Sequence, residues 1–198
     1  MKKQIIKICL IFITTLFLSC TENDILESTV TETELPPITQ TGANTFGFKI
    51  NDNIYIPKDK TGYTPPGGGT PKGLILSSGD TNLTDYYSIT ARNYINFSIY
   101  IYIPEDRPQQ KKYTFQLSPG VASTLQDPDF PHLFLIINNK KYLSYENSGI
   151  IKFTKVDFTN EVCAGVFNAK LKNIDDENDI IEITDGRFDL ICTKPIGD

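Results

Sequence analysis

The run INFSIYIYIP, Ile95 to Pro104, alternates residue by residue and dictates how this chain can fold. Phe97, Ile99, Ile101 and Ile103 fall on one side of an extended chain, and Ser98, Tyr100 and Tyr102 on the other. Side chains of a strand point alternately to its two faces, so a period of two marks a half-buried strand. The same signal recurs in NTFGFKI, NIYIP, GLILSS, TDYYSITARN, KKYTFQL, HLFLIIN, KKYLSYE, IIKFTKVDF, EVCAGVFNAKL, IIEIT and RFDLICT. Asn51-Asp52 joins the first two runs as a hairpin turn. A helix is expected only at Val121 to Leu125, where Pro119 and Pro128 confine it to about one turn. Roughly ten or eleven short strands predict an all-β fold, an antiparallel β-sandwich or barrel, with an immunoglobulin-like or jelly-roll sandwich favoured.

The first residues follow another rule. Lys2, Lys3 and Lys7 precede or flank the apolar segment Ile8 to Leu18, which Ser19-Cys20 ends. A basic start followed by about 7–15 apolar residues is the pattern of a secretory signal peptide. It falls short of the roughly 20 apolar residues that span a bilayer. Phe17-Leu18-Ser19-Cys20 resembles the lipobox of bacterial lipoproteins, in the loosened form carried by Bacteroidota. The resemblance implies that Cys20 is diacylated on sulfur and becomes the N-terminus after residues 1–19 are cleaved. Two or three acyl chains hold a protein where one is marginal. Thr21-Glu22-Asn23-Asp24 resembles the short acidic signals that send such lipoproteins to the cell surface, or is a charged tether with no address.

Residues 1–19 carry three lysines and no acid, so of 19 basic and 24 acidic residues the mature chain keeps 16 and 24, a net charge of −8. That balance excludes an electrostatic footprint for nucleic acid and leaves the lipid as the only membrane link. Residues 20–41, rich in Thr, Glu and Pro without a sustained period, read as the lipidated cysteine and a flexible tether. The β-domain then runs over residues 42–198.

Two stretches carry a resemblance. TGANTFGFKINDNIYIP, residues 41–57, and IIEITDGRFDL, residues 180–190, are similar to the opening and closing segments of a family of uncharacterised Bacteroidota cell-envelope lipoproteins. Asp52-Asn53 departs from that family's Asn-Gly order, and Tyr55 stands where Trp is common. The resemblance implies a β-sandwich on a lipidated tether at the outer membrane, on its periplasmic or its cell-surface face. It implies no activity.

Candidate chemistry is sparse. PPGGGTPKG, Pro65 to Gly73, has Pro71 before Lys72 and a strand after it, so it reads as an exposed loop and not a phosphate-binding one. His132 is the only histidine, too few for a zinc site of about three protein ligands, and no nucleophile motif accompanies it. Asp175, Asp176, Glu177 and Asp179 lack the spacing of a calcium loop and suit a charged hairpin turn. Neither a metal nor any other cofactor is expected. Tyr100 and Tyr102, opposite the aliphatic row, either stack on a ligand such as a sugar or pack as a second face.

Cys163 and Cys192 remain after processing, and an oxidising envelope permits a disulfide between them. Setting them opposite each other places Asp175 opposite Ile180, Lys170 opposite Asp185 and Phe167 opposite Phe188, with Asp176 to Asp179 as the loop. Two buried thiols, or a bulge at Asp185-Gly186 that slips the register, are the alternatives. The expected function is a non-catalytic binding or structural role at the envelope, with a glycan or an envelope protein as partner. The competing readings are a glycan-directed hydrolase using paired carboxylates and a glycan-binding accessory module of a surface uptake system.

Overall fold

The computed structural model describes residues 34–80, 85–122 and 128–192. The apolar segment Ile8 to Leu18, Cys20 and the acidic residues after it lie outside the described residues, as does most of the turn expected at Val121 to Leu125. Eleven antiparallel strands make one sheet: β1 (Thr45–Ile50), β2 (Asn53–Tyr55), β3 (Leu74–Asp80), β4 (Asp85–Arg92), β5 (Phe97–Ile103), β6 (Lys112–Thr114), β7 (His132–Ile137), β8 (Lys140–Leu143), β9 (Gly149–Asp157), β10 (Val162–Asn173) and β11 (Ile180–Ile191).

Their order is β2-β1-β11-β10-β8-β7-β5-β4-β3, with β9 also paired to β10 and β6 paired to β9. The long β10 makes this possible. Residues 162–169 pair with β9, while Lys172 and Asn173 pair with Leu143 and Tyr142 of β8. The sheet turns a corner there and curls into a half-barrel whose two halves face each other. It is an all-β antiparallel fold, as the alternation predicts, with the sheet continuous through β10 and β8.

The aliphatic side of the alternating runs fills the interior. Ile99, Ile101, Leu133, Leu135, Ile151, Phe153, Leu171 and Ile183 are buried in one cluster. Phe48 of β1 meets Phe97 of β5 at 5.5 Å, and Tyr87 of β4 meets Phe153 of β9 at 5.8 Å, so aromatic edges bridge the two halves. Asn51 and Asp52 both take positive φ, 49° and 64°, which is the two-residue turn that suits strand twist.

The β10–β11 register corrects the expectation. Cys163 faces Leu190, Phe167 faces Gly186, and Lys170 faces Glu182. Two offsets add up: on the cysteine side the pairing is already two residues away from setting Cys163 opposite Cys192, and a bulge adds a third, because between Phe167 and Ala169 the partner strand passes from Gly186 to Ile183. Asp185 takes a φ of 53° within it. The bulge expected as an alternative at Asp185-Gly186 is present and gives one residue of the shift, and the turn becomes residues 174–179. The disulfide still forms between Cys163 and Cys192, with Cα atoms 5.7 Å apart. It forms diagonally, with the Cys192 amide donating to the Glu161 carbonyl at 3.0 Å.

Residues Glu34 to Thr41, placed in the tether by composition, instead form a strap across the outer face of β1 and β11. Its seat is Asp189, a buried carboxylate of β11. The Thr39 hydroxyl at 2.6 Å, the Thr41 amide at 2.9 Å and the Gly42 amide at 2.8 Å all donate to it. Burial raises the Asp189 carboxyl, but the hydrogen bonds from Thr39, Thr41 and the following amides outweigh it and hold the group below its usual range. Gly47 lets the strap lie close: a Cβ there would sit 3.0 Å from Leu35 and from Pro36.

Candidate functional site

Tyr100 and Tyr102 lie on a covered face of the sheet. They are 5% and 1% exposed, and form a second small cluster with Phe134, flanked by Tyr86 and Leu143. The face they occupy is sealed by the chain itself. His132, fully buried, stacks on Tyr102 at 5.0 Å, and its Nδ1 lies 3.1 Å from the Ser118 hydroxyl. Ser118 is buried too and accepts from the Gly120 amide at 3.2 Å. This is a serine beside a histidine, but it lies inside the wall of the domain, where it fastens the segment after β6 to β7.

The acidic turn does not gather into a site. Asp179 folds back, and its Oδ2 accepts from Lys140 at 2.8 Å, Asn173 at 2.9 Å and Tyr142 at 3.0 Å. Among the described residues no group of three or more His, Cys, Asp or Glu side chains is placed to hold a metal ion. A cleft of about 390 Å³ lies between the strap and the chain after β2, lined by Glu34, Pro36, Phe46, Ile56, Asp59 and Leu74. It holds two carboxylates, yet Asp59 is engaged by Lys72 at 2.8 Å and by the Gly73 amide at 2.9 Å. Those bonds, the lysine's first, pull its carboxyl below the usual range.

Exposed rings gather elsewhere, at the β4–β5 turn and the loop after β2. Tyr63 is 51% exposed and Ile95 82%, with Tyr94 beside it at 36%. The Lys60 ammonium stands 4.4 Å over the Tyr63 ring and 5.9 Å from that of Tyr94, and the Arg92 guanidinium lies 5.4 Å from Tyr94. The Arg92 Nε is buried without a hydrogen-bond partner among the described residues.

The turn that presents these rings is strained and held. Tyr94 has a φ of 62°, a conformation bulky side chains rarely take. Asn93 enforces it: its Oδ1 accepts from the amides of Ile95 at 3.1 Å, Asn96 at 3.0 Å and Phe97 at 3.2 Å. The Tyr94 hydroxyl donates to the Lys72 carbonyl at 2.8 Å, tying the turn to the glycine-rich loop. Below Ile95 a groove of about 140 Å³ is lined by Tyr94, Asn96, Phe97, Ile136 and Asn139. Alternation could not single out these residues, since they lie in turns; the signal available was a tyrosine following an asparagine between two strands. Comparison with models of protein families, with curated proteins and with solved structures finds no match to this chain.

Proposed function

We propose that this is a lipid-anchored protein of the cell envelope, held at the outer membrane by acylated Cys20, whose β-domain is a non-catalytic binding module. The observation that supports this most is the fixed aromatic and cationic surface formed by Lys60, Tyr63, Arg92, Tyr94 and Ile95. A turn that keeps a tyrosine at positive φ stores of order 1–2 kcal/mol of strain, and strain of that kind collects where function repays it. Tyrosine rings give stacking faces for sugars or partner side chains, with the hydroxyl as a polar handle. The lipid anchor rests on the short apolar segment ending at Ser19-Cys20 and on the likeness to Bacteroidota lipoproteins.

Binding to a panel of immobilised envelope glycans tests the reading. The full chain should bind at least one, and the double variant Tyr63→Ala/Tyr94→Gly should lose roughly tenfold or more in affinity while keeping its melting temperature. Glycine removes the ring yet accepts the positive φ. The cleft holding Glu34 and Asp59 favours a second reading, hydrolysis by paired carboxylates. Turnover of a glycoside that Glu34→Gln or Asp59→Asn abolishes would replace the binding module with that enzyme.

A further inference from the structure

The outer face of the sheet carries a row of cations that strand register places with no freedom. Lys112 of β6 is directly opposite Lys152 of β9, Lys152 is opposite Val166 of β10, and Val166 is opposite Arg187 of β11. Tyr113, Ile151, Phe153 and Phe167 point into the core, so this alternate set points out. Like charges directly opposite one another destabilise an antiparallel pair.

Neighbouring lysines on this face are matched with acids: Lys49 lies 2.9 Å from Asp185, Lys155 3.9 Å from Asp157, and Lys170 3.9 Å from Glu182. The Lys112 and Lys152 side chains are exposed, and their ammonium groups have neither a hydrogen bond nor an ion pair among the described residues. The chain has a net charge of −5, yet among the described residues no acid forms an ion pair with either of these two cations. A local rule broken without compensation marks a place to look for function.

A groove of about 230 Å³ runs beside the row, lined by Ile38, Ile150, Val166, Asn168, Asp185 and Arg187. The Arg187 Nε donates to the Asp185 carbonyl at 3.1 Å, which holds the guanidinium at the groove edge. Asp185, the one carboxylate lining the groove, lies 2.9 Å from the Lys49 ammonium and 3.9 Å from the Arg187 guanidinium, so Lys112 and Lys152 are the cations of the row left unmatched. We infer that this row and groove bind an acidic polysaccharide. Carboxylates along the polymer meet the Lys112–Lys152 pair at one end and Arg187 at the other, two strand spacings or about 10 Å away. The apolar faces of the sugar rings lie on Ile150 and Val166. Anions repeated along a polymer satisfy both ends, whereas a single phosphate satisfies one. This rests on the binding-module reading but uses a surface separate from Tyr63 and Tyr94.

The test uses the full chain in a non-ionic detergent, with polygalacturonate and neutral dextran as probes in retardation gels. Polygalacturonate should retard the protein, less so as salt rises, and Lys112→Gln/Lys152→Gln should weaken this about tenfold. The same variant should keep or raise the melting temperature, because it removes repulsion. Unchanged retardation of the double variant overturns the assignment, as does duplex DNA binding as tightly as polygalacturonate. Capture of a neutral glycan through Tyr94, without polygalacturonate binding, ends this inference and leaves the binding module standing.

Discussion

Asp189 and Tyr87 show how differently a buried polar group can be treated in one domain. Asp189 accepts from the strap on both oxygens, so its burial is compensated by hydrogen bonds that also position the chain leading into β1. The Tyr87 ring packs edge-on against Phe153 with centroids 5.8 Å apart, and its hydroxyl has no hydrogen-bond partner among the described residues. Burial alone pushes that phenol far upward, out of any physiological titration. An unpaired buried hydroxyl costs about 1–3 kcal/mol, whereas the ring packing survives its removal. Tyr87→Phe should therefore stabilise the domain by about 1 kcal/mol, raising Tm by roughly 2–4 °C in a thermal melt. A lower Tm would mean that the hydroxyl has a partner such as buried water. The motif Ile-Thr-Asp-Gly-Arg-Phe-Asp divides by the same logic, residue by residue. Asp185 makes the bulge, Gly186 avoids Phe167, whose carbonyl would be 2.5 Å from a Cβ, Phe188 enters the core and Asp189 clasps the strap.

Strand positions followed from alternation, because each short run had to bury one face. Hairpin turns were legible where two residues tolerant of positive φ stood between runs, as at Asn51-Asp52, and Asn138-Asn139 joins β7 to β8 in the same way with φ of 48° and 64°. The β10–β11 turn lies elsewhere than the cysteines suggest, because a disulfide can join residues that are diagonal across two strands and because a bulge has no periodicity of its own. That turn is stapled by Asp179, whose carboxyl is held down at about 2, first by the hydrogen bond from Lys140 and then by that from Asn173. Its folded pKa lies below the usual carboxylate value of about 3.9, so its contribution is complete above that pH and is lost as pH falls toward 2. Asp179→Asn should thus melt lower than the parent at neutral pH, and the gap should close on titration from pH 4 to pH 2. A gap that stays constant across that window would show that the staple acts through shape and not charge.

At the scale of the whole molecule, the disulfide and the strap act together where β10 and β11 end. The bond closes a loop between residues 29 apart, and Gly42, at the end of the strap, lies against Val162 and Ile191. On the proposed reading this is where a membrane tether is made fast: from Cys20 to Glu34 the chain advances 14 residues, a reach of at most about 50 Å. Growth with a labelled fatty acid should label the parent and leave Cys20→Ala unlabelled and no longer at the membrane. Equal labelling of both would remove the anchor from the proposal. The sequence by itself determined the all-β class and most of the strand positions, since alternation and turn residues are local properties. Only the tertiary structure decided that the sheet is continuous through β10 and β8, that Tyr100 and Tyr102 are covered, that residues 34–41 are fastened down, and that Lys112 faces Lys152. Each of those depends on which strand lies beside which. Pairing partners far apart in sequence are chosen by the packing of the whole core, and a period of two says only that a face is buried, not what buries it.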